Sequence, residues 1–215
     1  AMKRILLIFF AVVTIFTLAS AAWYYSKLHA NTKEHRTVAI PSNSRMKEVV
    51  KKQASNILPF IKKNNYNTEV CFLVNMNIAS GANRFFVYDL KNDSVSDAGL
   101  VTHGRCNETW LSGRKYDNKI GCGCTSLGKY RIGKPYKGKF GLAYKLHGLD
   151  STNSNAFKRY VVLHSHDCVP EGEVDSLPIC QSDGCPTVSP AFLQKLAAII
   201  DASPKPILLS IVDDQ

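Results

Sequence analysis

Two residues late in the chain have the types and spacing for covalent chemistry. The segment His164-Ser165-His166-Asp167-Cys168 is followed by Ser182-Asp183-Gly184-Cys185-Pro186-Thr187-Val188-Ser189-Pro190. A cysteine attacks as thiolate, so Cys185 needs a base or an electropositive site to act on a thiol whose free pKa is ~8.5. An imidazole, with an ordinary pKa of ~6.5, is the natural partner, and His164 supplies one. Gly184 lets the backbone turn sharply before the sulfur. The N–H groups of Gly184 and Cys185 are then candidates to meet a developing oxyanion, and no side chain at 184 crowds the approaching carbonyl. His166 is a rival base, because alternate strand residues project to one face. On residue types alone a plainer reading stands beside this one: Cys185 in a disulfide and His164 a satisfied polar group at a strand end.

The elements that must hold these groups are legible from pattern. Arg159-Tyr160-Val161-Val162-Leu163-His164 predicts a strand that ends at the imidazole, and Ile207-Leu208-Leu209-Ser210-Ile211-Val212 predicts another. Val70-Cys71-Phe72-Leu73-Val74 and Phe85-Phe86-Val87-Tyr88 are short apolar runs separated by a turn over Ala79 to Asn83. Ser189 followed by Pro190 predicts a capped helix running to about Asp201. Upstream, Met46, Val49, Val50, Ala54, Ile57, Leu58 and Ile61 recur at helical spacing after Ser44, and Pro59 should kink or end that helix in its last turn. The stretch from Gly104 to Gly148 is rich in Gly, Lys and Tyr and contains paired turn signals such as Gly133-Lys134-Pro135.

The N-terminus speaks to compartment. Met2-Lys3-Arg4 precedes an uncharged run from Ile5 to Ala22, with small residues around Ala19-Ser20-Ala21 and Trp23-Tyr24-Tyr25 beyond it. This is the pattern of a cleaved export signal or of a retained membrane anchor, and both place the rest of the chain outside the cytoplasm, where disulfides persist. The expected organisation is 1–26 signal or anchor, 27–43 linker, 44–67 amphipathic helix, and 68–215 a mainly β domain.

With 215 residues, 45% hydrophobic and 20% charged, the chain is globular rather than disordered or multi-span. Its formal charge of +10 suits an anionic partner, but there is no zinc-finger spacing, RNP-like aromatic stretch or basic helix, and export argues against nucleic acid. Lys47, Lys51, Lys52, Lys62 and Lys63 are most simply the solvated face of the helix.

A strand ending in His, a variable loop and a Ser-x-Gly-Cys signature together resemble the L,D-transpeptidase (YkuD-like) catalytic domains. Val161-Val162-Leu163-His164-Ser165 and Ser182-Asp183-Gly184-Cys185 are those two parts in order. The resemblance is closest to the murein L,D-transpeptidase catalytic domain branch, in which Pro follows the Cys. Leu100 to Gly104, Thr125 to Tyr130, Tyr136 to Gly141, Leu146 to Asn153, Asn155-Ala156 and Arg159 agree as well. The resemblance runs from about Val70 to Pro190. It implies a β-sandwich-like fold with a few flanking helices and no metal or cofactor. It also implies Cys185 as nucleophile, His164 as base, Gly184 at the oxyanion site, and Ser182, Asp183, His166, Asn155 and Arg159 around the substrate. The implied substrate is a peptidoglycan stem peptide, cut at a diaminopimelate–D-Ala bond and passed to an amine of a second stem, or to water. Asp183 departs from the His or Arg that many relatives carry there, and a carboxylate beside the sulfur disfavours the thiolate.

Seven cysteines cannot all pair within the chain, so at least one thiol is left for chemistry. Cys168 and Cys180 flank the loop between His164 and Cys185, so a bridge there would staple its rim. Cys106 is expected to pair with Cys122 or Cys124, and Cys71 to be buried in its strand. His103-x2-Cys106 with Cys122-x-Cys124 also suggests zinc, but the spacing is irregular and export favours disulfides. Two rivals remain. A papain-like or NlpC-type peptidase usually has its Cys before its His, the reverse of the order here. An exported wall-binding domain would have its thiols oxidised.

Overall fold

Alternating and continuous apolar runs build one sheet in a computed structural model that describes residues 18, 20, 43–174 and 177–214. The expected signal or anchor segment (1–26) and linker (27–43) lie outside these residues, apart from Leu18, Ser20 and Asn43. The chain divides into two units, 1–43 and 44–215, and every strand of the sheet belongs to the second. Among the described residues no helix is long and apolar enough to cross a membrane.

The strands are β1 (Val70–Asn75), β2 (Phe85–Asp89), β3 (Ser94–Gly99), β4 (Gly128–Gly138), β5 (Gly141–Gly148), β6 (Val162–Ser165), β7 (Thr187–Val188) and β8 (Leu208–Val212). They form one eight-stranded sheet in the order β3-β2-β1-β8-β4-β5-β6-β7, so the mainly β expectation holds. β1 is central and buried on both faces, which is why it reads as an unbroken apolar run. Its register with β2 and β8 sends Phe72 and Val74 to one side and Cys71 and Leu73 to the other. The ladder between β4 and β5 shifts register between Ile132 and Pro135. Tyr130, Ile132, Tyr144, Leu146 and Leu163 share one core with Phe72, Phe85, Leu209 and the helix α2 (Pro190–Ala202).

Helix α1 (Asn43–Lys63) covers the opposite face with Val50, Ala54, Ile57 and Ile61, while its lysines stay in solvent. It continues one turn past Pro59. Buried Gln53 ties it to the sheet by donating to the carbonyls of Val74 (3.3 Å) and Ser210 (3.2 Å). α2 begins as its sequence dictates: Pro190 opens the first turn and the Ser189 hydroxyl accepts from Phe192 N–H at 3.3 Å.

Two local expectations need correction. The strand before His164 starts at Val162, not Arg159. Tyr160 is left-handed (φ 57°) and 85% exposed, and Arg159 turns aside to bind backbone carbonyls. The turn signal Gly133-Lys134-Pro135 falls inside β4, at the register shift of the long β4–β5 hairpin. Its many glycines and lysines hide the period-two burial of Tyr130, Ile132, Tyr144 and Leu146. Finally, β3 and the two-residue β7 carry too few apolar residues to announce themselves.

Candidate active site

β6 carries His164 and pairs in parallel with β7, where Thr187 is the cross-strand partner of His164. Cys185 lies two residues before Thr187, so strand pairing alone brings the sulfur-bearing turn to the imidazole. The turn is held from several directions. Gly104 bridges to Ser182, and Ser182 N–H donates to the His103 carbonyl at 2.9 Å. The Cys185 carbonyl accepts from Ser182 Oγ at 2.7 Å and Thr102 Oγ1 at 3.2 Å. Gly184 has φ +101°, and a Cβ there would stand 2.5 Å from the Cys124 carbonyl oxygen, so both conformation and space require glycine. Its N–H, expected at the oxyanion site, donates instead to Ser182 Oγ at 3.2 Å.

His164 is buried, with Phe140 from the tip of the β4–β5 hairpin stacked on its ring at 5.1 Å. Its Nδ1 is 3.1 Å from the Ser165 carbonyl, which can only accept, so the proton sits on Nδ1 and Nε2 keeps its lone pair. Nε2 lies 3.0 Å from Thr187 Oγ1, whose hydroxyl donates to it. Burial holds this imidazole below its ordinary pKa, the Ser165 bond opposes that, and His166 adds to it. Cys185 is a free thiol, and its Sγ is 3.8 Å from the Tyr160 carbonyl. Burial raises its pKa, Val162 N–H and Arg159 pull it down, and Asp183 raises it again. The resting pair is therefore neutral thiol and neutral imidazole.

The remaining expected residues fall in distinct places. Arg159 lies under the turn and donates to the carbonyls of Cys124 and Asp117 (3.0 Å) and to Ser126 Oγ (3.0 Å). Asn155 is engaged with Asn118 through both its backbone and side-chain N–H groups. Asp183 is exposed and paired with Arg105 at 2.7 Å, which blunts its effect on the sulfur. His166 is exposed, accepts from Cys168 N–H at 3.1 Å, and meets the edge of Phe140 at 5.4 Å. Residue type and spacing do not single out Thr187 or Phe140. Thr187 sits two positions from the cysteine, but only the β6–β7 pairing shows that it faces the imidazole.

Cys168 pairs with Cys180 across the base of the loop, and Cys106 pairs with Cys124, leaving Cys71, Cys122 and Cys185 free. Cys71 is buried, its thiol pushed up to about 12 by that burial. Among the described residues no group of three or more His, Cys, Asp or Glu could hold a metal. A cavity of about 610 Å³ is lined by residues that include Arg84, His103, Trp110, Arg114 and Asp213, whereas Cys185 and His164 do not line it.

The fold resembles several solved structures. It matches the Ldtfm–avibactam carbamoyl enzyme at 12% identity and TM-score 0.43, covering 68% of this chain and 50% of that one. An L,D-transpeptidase from Xylanimonas cellulosilytica matches at 12% identity and TM-score 0.38, covering 67% and 61%. The helical cell shape determining protein Pgp2 from Campylobacter jejuni matches at 14% identity and TM-score 0.41, covering 77% and 57%. This chain thus spans about half to three fifths of the length of each. No curated protein matches it. The family model described as the L,D-transpeptidase catalytic domain matches residues 42–205, most of the chain, and the protein belongs to that family.

Proposed function

We propose that this protein is an exported cysteine L,D-transpeptidase that acts on peptidoglycan stem peptides through a thioester on Cys185. The carrying observation is a free thiol on a glycine turn two residues before Thr187, the cross-strand partner of a buried imidazole whose Nδ1 proton is fixed by the Ser165 carbonyl and whose Nε2 meets the Thr187 hydroxyl. The thiol proton passes to His164 Nε2 as the sulfur attacks the carbonyl of a diaminopimelate–D-Ala bond. A tetrahedral oxyanion forms, with the Cys185 N–H as its donor. The C–N bond then breaks, the imidazolium returns its proton to the leaving nitrogen, and D-Ala departs. His164 next takes a proton from the amine of a second stem, which displaces the sulfur, regenerates the thiol and leaves an amide between the two diaminopimelates. Water in place of that amine gives a free carboxylate and makes the same site an L,D-carboxypeptidase. Export through the N-terminal segment, as signal or anchor, brings the enzyme to this substrate.

Mass spectrometry of purified wall fragments incubated with the protein tests the reading. D-Ala release with diaminopimelate-to-diaminopimelate dimers is expected, and both should vanish in Cys185→Ala. Release without dimers would assign the carboxypeptidase. No Cys185-dependent product, together with no covalent adduct on exposure to a carbapenem, would overturn the enzyme altogether.

A further inference from the structure

On the outer side of β4, β5 and β6, rings and ammonium groups stand in a row that ends at the buried His164. On β5, Ala143, Lys145 and His147 share the face opposite the core residues Tyr144 and Leu146. Tyr136 and His164 are the cross-strand partners of Ala143 on either side, so all three stand in one row. Lys145 Nζ lies 5.6 Å from the Tyr136 ring and 5.4 Å from the Phe157 ring. Phe157 stacks on His147 at 4.9 Å. At the other end Phe140 covers His164, and Lys139 Nζ stands 5.4 Å from the Phe140 ring.

These side chains are not a core in disguise. Phe157 is 49% exposed and Tyr136 38%, and Lys139 and Lys145, the two lysines over the rings, are exposed. Among the described residues neither of these two lysines is in an ion pair, whereas Lys129, at the root of the same hairpin, is paired with Asp150. Unpaired cations interleaved with half-exposed rings suit a polymer that carries carboxylates and flat apolar faces together.

We propose that this outer face is a docking track for a peptidoglycan strand, with its carboxylates on the lysines and its sugar rings on Tyr136 and Phe157. The track leads the strand to Cys185. This rests on the wall-polymer reading of the active site. It adds a surface separate from the Cys185 turn, one that holds polymer rather than the scissile bond and keeps the strand in place between the two transfer steps.

The test is co-sedimentation with insoluble peptidoglycan sacculi at ~0.15 M salt, where weak long-range charge effects are screened. Every protein carries Cys185→Ala, so no turnover occurs. The charge-neutral pair Tyr136→Ala with Phe157→Ala, and the pair Lys139→Glu with Lys145→Glu, are each expected to cut retention about 10-fold, as loss of anchoring contacts does. Lys62→Glu with Lys63→Glu on α1 makes the same charge change elsewhere and is expected to alter retention less than about 2-fold. Excess double-stranded DNA should not displace the protein. Retention unchanged in either track pair, an equal fall in the α1 pair, or displacement by DNA would overturn the track. Binding is read without chemistry, so a failure of the transpeptidase reading appears separately, as absent Cys185-dependent product.

Discussion

Thr187 Oγ1 lies 3.0 Å from His164 Nε2, across the parallel ladder in which the two residues are partners. With Nδ1 protonated toward Ser165, the Thr187 hydroxyl donates to the lone pair that receives the Cys185 proton in the proposed reaction. After protonation Nε2–H donates to the same oxygen, and the hydroxyl turns to the Cys185 carbonyl, 3.4 Å away. One side chain thus serves both states of the base. Thr187→Val keeps the shape and removes the partner. We expect kcat to fall about 10–100-fold with KM within about 2-fold. The acid limb of the kcat/KM profile should shift down, because the charged imidazole loses the stronger bond. Thr187→Ser should restore both. Steady-state D-Ala release across pH checks this, and a serine variant as impaired as valine would refute it.

Burial keeps the Cys185 thiol above its ordinary pKa and the His164 imidazole below its own. The resting site is then no thiolate–imidazolium pair, and the thiolate fraction rises with pH toward and beyond the free-thiol value. Iodoacetamide alkylation of Cys185, identified against Cys185→Ala because Cys122 is also free, should accelerate steadily past about pH 9. A plateau that begins near about pH 6 would mean an ion pair instead.

Gly184→Ala puts a Cβ 2.5 Å from the Cys124 carbonyl oxygen and 3.1 Å from Arg159 Nη2, at a backbone φ of +101°. We expect a loss of about 1–3 kcal/mol in urea unfolding and little remaining D-Ala release. Gly113→Ala is the matched control. It has φ +77° but nothing within 4 Å of the added carbon, so it should cost only about 1 kcal/mol and leave turnover alone.

Arg159 reaches three acceptors on two loops beneath the nucleophile turn. A lysine keeps the charge but cannot span them. Arg159→Lys should lower stability by about 1–3 kcal/mol and slow alkylation of Cys185, since the cation that lowers the thiol pKa is displaced. Equal stability and equal alkylation would show that the fork is dispensable.

His103 gives a pH signature of folding. Its Nε2 accepts from Lys115 N–H at 3.4 Å, and its buried Nδ1 has no partner among the described residues. Burial first, then Arg84 and Arg114, hold its pKa at about 4. The unfolded chain takes up this proton near pH 6.5 and the folded chain refuses it until about pH 4, so stability falls as pH drops through that window. The share due to His103 is at most about 3 kcal/mol. Thermal unfolding of His103→Gln should show a shallower decline between about pH 7 and about pH 4 than the parent, and parallel curves would exclude the effect.

Much of the arrangement follows from local pattern. The amphipathic period of α1, the Ser189-Pro190 start of α2 and the apolar runs of β1, β2 and β8 are short-range signals that burial alone enforces. Cys185 after glycine, with His164 before it at a strand end, stands out as a candidate pair because thiol chemistry demands those residue types. The β4–β5 hairpin does not stand out, because lysines and glycines cover its solvent face and only its inner residues alternate.

What the amino-acid order determined by itself was which residues can do chemistry and which segments must be buried, since both depend on side-chain type and near-neighbour spacing. Tertiary structure decided who meets whom. Thr187 faces His164 because β7 pairs with β6, Phe140 covers the ring because a hairpin folds over it, and Cys106 takes Cys124 rather than Cys122. Arg159 leaves its predicted strand because buried carbonyls from distant loops need donors. Such partnerships depend on which polar groups are left unsatisfied once the sheet has closed, and no window along the chain contains that information.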